Sequence, residues 1–236
     1  SRRIREAFAG AALMGEYRKV QPRQYAQLPQ RVTGENRFCR TFKTVSLEQQ
    51  LGAVTCVNFS PTEPGEVAVT SGARVLIYDA STGRVKKQVS KFKDVAYSGS
   101  FRSDGKLMVA GGESGTVQVF ELATKAILRK LEGHSRPVHV CAFSPHKTQI
   151  MSASDDTTVR WWDLPTGEAV TTFSEHEDYV RCAVAGSDLW LSGSYDHTVK
   201  LWDTRTKKSV LTLDHGSQVE AVQMFSSGGV LISAGS

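Results

Sequence analysis

The chain has 236 residues, room for one large or two ordinary domains, and at 40% hydrophobic and 22% charged it is composed like a globular protein rather than a disordered one. No apolar run approaches the roughly 18 residues that a membrane-spanning helix needs. Net charge is +5, yet residues 1–43 carry ten Lys or Arg against three Asp or Glu, so the basicity sits in the tail and points to nucleic acid or another acidic partner.

Residues 1–15 open on Arg2, Arg3 and Arg5 and then turn Ala-rich, with Phe8, Leu13 and Met14 on one face of a short helix or of a segment that orders on binding. The apolar stretch there is short and broken by Gly10, so a secretory leader is not expected. Residues 16–34 hold Pro22 and Pro29 among Arg and Gln, which reads as an extended arm. Arg18, Lys19 and Arg23 suit phosphates, and Tyr25 suits a stacked base. The plainer alternative is a solvated leader. The expected organisation is a basic arm at 1–43 and a repeat domain at 44–236.

From there the chain repeats. One column reads Tyr78-Asp79, Phe120-Glu121, Trp162-Asp163 and Trp202-Asp203, at intervals of 42, 42 and 40 residues. A second reads Gly133-His134, Glu175-His176 and Asp214-His215. A third is the strand entering each unit, at 54–59, 97–101, 138–143 and 180–184. A period near 40–45 residues with four short β runs, G-H at one end and W-D at the other, is the WD40 β-propeller pattern, so the fold class is all-β. Radial packing of such sheets buries both faces of each.

In WD40 repeats the GH histidine, a strand hydroxyl, a turn Asp and the Trp form an internal hydrogen-bonded chain. Two sets map here as structural tetrads: His134, Ser154, Asp156, Trp162 and His176, Ser194, Asp196, Trp202. The first two units lack them, with Gly72 and Ser114 at the Asp column, and must rest on apolar packing. His, Ser and Asp also invite a catalytic-triad reading, but a set repeated in register fits structure better than one active site, and no G-x-S-x-G elbow is present. No catalytic residue is therefore expected. His134, His139 and His146 lack a Cys pair or H-E-x-x-H, so no metal site is expected, and no cofactor. Cys39, Cys56, Cys141 and Cys182 show no C-x-x-C spacing and read as reduced core thiols, with Cys141 and Cys182 at the same repeat position.

Four units are complete from about residue 53, and a fifth stops within a strand at Ser236. About five blades is short of a typical closed ring, which points to part of a longer chain. Residues 44–48 fall in the slot of an outer strand and are expected to complete the missing last blade.

Several strings are more particular than W-D: Gln27-Leu-Pro-Gln30, Arg37-Phe-Cys-Arg-Thr-Phe42, Lys91-Phe-Lys-Asp-Val-Ala-Tyr97, Ser100-Phe-Arg-Ser-Asp-Gly-Lys106, Asp178-Tyr-Val-Arg181 and Gly193-Ser-Tyr-Asp196. From about Glu16 onward the chain resembles the WD-repeat, U3 small nucleolar RNA-associated subunits of the UtpA (t-UTP) group of the small-subunit processome. The resemblance implies a seven-bladed propeller followed by a helical region, and a non-enzymatic nucleolar scaffold. It also implies sister UtpA subunits and the 5′ external transcribed spacer of pre-rRNA as partners, a link to RNA polymerase I transcription, and no membrane.

Candidate RNA or partner contacts on the propeller are Lys86, Lys87, Lys91, Lys93, Arg102 and Lys106, each also readable as a solvated surface cation. Further candidates are Arg136, His139, Tyr179, Arg181 and Tyr195, on the side where blades are entered, which could equally serve loop packing. The competing function is a peptide-reading WD40 adaptor, such as a ubiquitin-ligase substrate receptor. That class would want a helical box ahead of the propeller and a ring of Arg at the channel mouth, and neither is obvious.

Overall fold

The computed structural model describes residues 50, 52–62, 65–90, 92–225 and 231–235. The arm at 1–43 with Arg18, Lys19, Arg23 and Tyr25, the closing segment 44–48, Cys39 and Lys91 lie outside the described residues. The described part is a β-propeller of antiparallel sheets whose strand order follows the chain.

The first blade holds β1 (Val54–Phe59), β2 (Glu66–Ser71), β3 (Arg74–Asp79) and β4 (Val85–Val89). The second holds β5 (Ser100–Phe101), β6 (Leu107–Gly111), β7 (Val117–Glu121) and β8 (Ile127–Leu131). In the third are β9 (Val138–Phe143), β10 (Gln149–Ser154), β11 (Val159–Asp163) and β12 (Ala169–Phe173). The fourth comprises β13 (Val180–Ala185), β14 (Leu189–Ser194), β15 (Thr198–Asp203) and β16 (Lys208–Asp214), and the pair β17 (Val219–Met224) and β18 (Leu231–Gly235) follows. The entering strands β1, β5, β9, β13 and β17 are innermost, and each touches the next.

Sequence pattern tracks position in the sheet. The second strands, such as Leu107–Gly111 and Leu189–Ser194, are buried on nearly every residue because neighbouring sheets cover both faces. The outer strands β4, β12 and β16 expose most of their residues, and there the pattern relaxes. Phe101, Met108 and Phe120 join Val75 and Ile77 in an apolar cluster between the first two blades. Trp190 and Trp202 with Phe173 and Met151 form another between the third and fourth.

Two expectations need correction. The entering strand of the second blade was expected at 97–101, but only Ser100–Phe101 forms it. Ser98 Oγ accepts the Gly111 N–H at 3.1 Å, so a side chain takes a bond that a ladder carbonyl would otherwise take. Cys141 and Cys182 do not occupy one repeat position either. Cys141 stands opposite Ser152 and Cys182 opposite Gly193, so the counterpart of Cys141 is Ala183. A one-residue step reverses the face. Cys141 meets Ser98 of the second blade, whereas Cys182 meets the Val219 carbonyl of the fifth. Both are free thiols that burial pushes up to about 12.

Among the described residues, the turns after the first and third strands of the four complete blades share one end of the propeller. Gly105 lies against Thr62, Lys147 acts on Asp104, and Pro145, Asp188 and Phe225 line one recess. The W-D acidic residue organises the third-to-fourth turn in each blade, as Asp79 Oδ1 does by accepting the Ser81 and Thr82 N–H groups. Four residues on, the chain enters the left-handed region at Gly83 (φ 68°), Lys125 (58°), Gly167 (78°) and Lys207 (56°). Each of these donates its N–H to the carbonyl of the acidic residue at 2.8–3.0 Å.

Candidate functional site

At the other end of the propeller the entering strands open onto a recess of about 300 Å³ lined by Thr55, Tyr97, His139, Arg181, Tyr195 and Glu220. Its construction is regular. In β1, β9, β13 and β17 the register slips at one residue, and those residues are Thr55, His139, Arg181 and Glu220. A bulge residue has no cross-strand partner and is re-aimed, here toward the channel mouth. Tyr97 holds the same repeat position in the second blade.

The side chains interlock. Arg136 donates to the Tyr179 hydroxyl at 3.3 Å, and its guanidinium lies 5.7 Å from that ring centre. The Arg181 guanidinium sits 5.4 Å from Tyr179 and 5.3 Å from Tyr195, a cation held between two aromatic faces. Asp155 binds it at 3.0 Å and binds His139 Nε2 at 3.1 Å. Tyr97 packs 4.5 Å from the His139 ring, and the Tyr195 hydroxyl donates to Glu220 at 3.0 Å. Burial lowers the His139 pKa, Asp155 works against that and the Arg181 charge adds to it. Burial and the bond to Glu220 raise that of Tyr195.

All five mouth candidates, Arg136, His139, Tyr179, Arg181 and Tyr195, thus fall in one cluster. Asp155, Tyr97, Thr55 and Glu220 were missed. A signal existed, since 55, 97, 139 and 181 recur every 42 residues, at the second position of β1, β9 and β13 and just ahead of β5. The lysine candidates do not assemble. Lys86 is tied to Asp79 at 3.0 Å and to Glu66 at 3.5 Å, and Lys87 is half-buried beside it on β4. Lys93 is exposed on the mouth side, while Arg102, paired with Asp104 at 2.6 Å, and Lys106 stand at the opposite end.

The polar chain inside the blades uses a different serine from the expected one. Trp162 Nε1 donates to Ser152 Oγ at 2.7 Å, and that oxygen lies 2.7 Å from His134 Nε2. His134 Nδ1 lies 2.7 Å from Asp156 Oδ2. The fourth blade repeats this through Trp202, Ser192, His176 and Asp196. Ser154 and Ser194 instead shape the turns, donating to the Arg136 and Asp178 carbonyls and accepting the Asp156 and Asp196 N–H groups. They lie on the same strand face, but two residues (about 6.8 Å) nearer the loop than the indole reaches. Ser152 and Ser192 are wholly buried, with their hydroxyls committed to indole and imidazole.

Residues 34–191 match the family described as Nucleolar protein 10-like, N-terminal domain, a β-propeller. The chain belongs to this family. Relatives of the family member carry the name U3 small nucleolar RNA-associated protein 15. The one from Xenopus tropicalis is 44% identical over 225 residues, covering 94% of this chain and 44% of that protein. The one from Schizosaccharomyces pombe is 48% identical over 220 residues, covering 92% and 44%. The one from Saccharomyces cerevisiae is 38% identical over 203 residues, covering 83% and 40%. The chain therefore spans less than half the length of these relatives.

Proposed function

We propose that the protein is a non-enzymatic scaffold of a nucleolar pre-ribosomal ribonucleoprotein, the small-subunit processome. In this reading it supports pre-18S rRNA processing, meets the 5′ external transcribed spacer directly or through sister UtpA subunits, and links that assembly to RNA polymerase I transcription. The observation that carries the reading is likeness along nearly the whole chain to proteins named for association with U3 small nucleolar RNA, in yeasts and a vertebrate. Support for a role without catalysis comes from the two His–Asp–Ser sets, which are internal and fully engaged. The mouth cluster of Arg136, Tyr179, Arg181 and Tyr195 has the aromatic and arginine chemistry of a recognition surface. The arm, with Arg18, Lys19, Arg23 and Tyr25, adds salt-dependent attraction to RNA.

Depletion of the full-length protein tests this. Loss of mature 18S rRNA while the large-subunit rRNAs persist is expected, together with U3 RNA in purifications of the tagged protein. Normal 18S levels and recovery of ubiquitin-ligase subunits would favour the peptide-reading adaptor instead.

A further inference from the structure

The two ends of the propeller differ in charge. In the described turns after the first and third strands stand seven Lys or Arg against three Asp or Glu, and the acids at the strand ends that open the third-to-fourth turns, Asp79, Glu121, Asp163 and Asp203, bring that end to a balance of seven against seven. In the described loops of the mouth end the balance is two against nine. Three of those nine, Asp155, Asp156 and Asp196, are committed to histidines, and the rest still leave the mouth end acidic. An RNA backbone is repelled at the mouth end and meets no such net repulsion at the opposite end, where the cations stand on the turns.

The cations of that opposite end also occupy unusual positions. Lys125 and Lys207 take the left-handed corner that Gly83 and Gly167 take in the sibling turns. Lys147 (φ 65°) likewise takes the corner that Gly105 (φ 67°) fills after the first strand of the second blade. These lysines donate their own N–H to the turn, so they do the same backbone work as the glycines. What they add is an exposed ammonium at the tip of the turn. Arg84 and Lys106 stand exposed on the same end. A left-handed corner filled by a lysine where sibling turns use glycine motivates a role for the side chain beyond the turn itself.

We propose that single-stranded RNA lies by its phosphate backbone across this end of the propeller, held by Lys125, Lys147 and Lys207 with Arg84 and Lys106. This rests on the ribonucleoprotein reading and gives it a surface distinct from the arginine–tyrosine mouth. Spaced point charges suit phosphates rather than bases, so the contact through these cations is expected to be indifferent to sequence.

The test uses the full-length protein and a labelled single-stranded polyuridine RNA, titrated across a salt series. Lys125→Gly, Lys147→Gly and Lys207→Gly, combined, copy the sibling turns and so keep the fold, which an unchanged or raised melting temperature confirms. Three lost phosphate contacts are expected to flatten the slope of log affinity against log salt by about 2. The corresponding triple Arg variant is expected to retain the wild-type slope. An unchanged slope in the Gly triple, with RNA still bound, overturns this placement and leaves the ribonucleoprotein reading standing. So does a flattening produced by Arg136→Ala in place of the triple. A wild-type protein that binds no RNA overturns direct contact and this placement together, while the 18S readout still judges the scaffold.

Discussion

Ser192 Oγ receives the Trp202 indole N–H and meets the His176 imidazole, so Ser192→Ala strands two buried polar groups at once. Each such group costs about 1–3 kcal/mol, and urea unfolding is expected to show a loss in that range or above. The cost is expected to shrink when Trp202→Phe is already present, because Phe needs no acceptor. Blade two already carries that combination, with Ala110 at the serine position and Phe120 at the tryptophan position, and blade one has the equally apolar Val69 beside Tyr78. This explains why the serine was misread. Ser152 and Ser154 are two residues apart on one face, and only Val69 and Ala110 in the other blades distinguish the hydroxyl that travels with tryptophan. Not every buried indole is served in this way, since Trp190 Nε1 has no acceptor among the described residues and the ring rests on Trp161 and Phe173.

The carboxyls of the two sets respond to acid. Burial favours the neutral form of Asp156 and Asp196, but bonds from His134 with Thr158, and from His176 with Thr198, outweigh it and hold both pKa values well below the usual range. A depressed folded-state pKa contributes stability that is present above the unfolded value near 4 and is lost as pH falls through the folded one. Stability measured from pH 6 downward is therefore expected to decline below about pH 4, and Asp196→Asn is expected to lower the plateau and flatten that decline.

Among elements, the third-to-fourth strand turn is the clearest case of one geometry filled by different residues. A lysine in the left-handed region is disfavoured by about 1 kcal/mol or more relative to glycine. Lys125→Gly alone is expected to leave stability unchanged or raise it by up to about 1 kcal/mol, read by thermal unfolding. A fall of that size would mean that the lysine side chain holds the turn. The entering strands teach a different lesson. Their existence followed from alternating apolar residues, as at Val138–Phe143, but the bulge did not, because a single unpaired residue leaves no periodic trace. The mouth candidates came together because the bulge turns His139 and Arg181 inward. Tyr97 and Glu220 went unnoticed because their residue types differ from blade to blade.

At the scale of the whole molecule, repeat period alone specified four-stranded blades packed in chain order, since neither face of such a sheet can stay wet. Trp202 illustrates how strongly neighbouring blades depend on one another. It is fully buried, 4.8 Å from Phe173 of the third blade, and Trp202→Ala is expected to cost about 3–5 kcal/mol in chemical unfolding. Function was legible less through the W-D columns, which became internal hydrogen bonds, than through atypical strings such as Ser100-Phe-Arg-Ser-Asp-Gly-Lys106. The charge division between ends was invisible in sequence because both kinds of loop alternate along the chain, and only the fold sorts them.

The most direct measurement of the scaffold reading is crosslinking of the full-length protein to RNA in living cells, followed by sequencing of the bound RNA. The prediction is enrichment on pre-rRNA, concentrated in the 5′ external transcribed spacer. Crosslinks without pre-rRNA enrichment, with ubiquitin-ligase subunits recovered alongside, would contradict it.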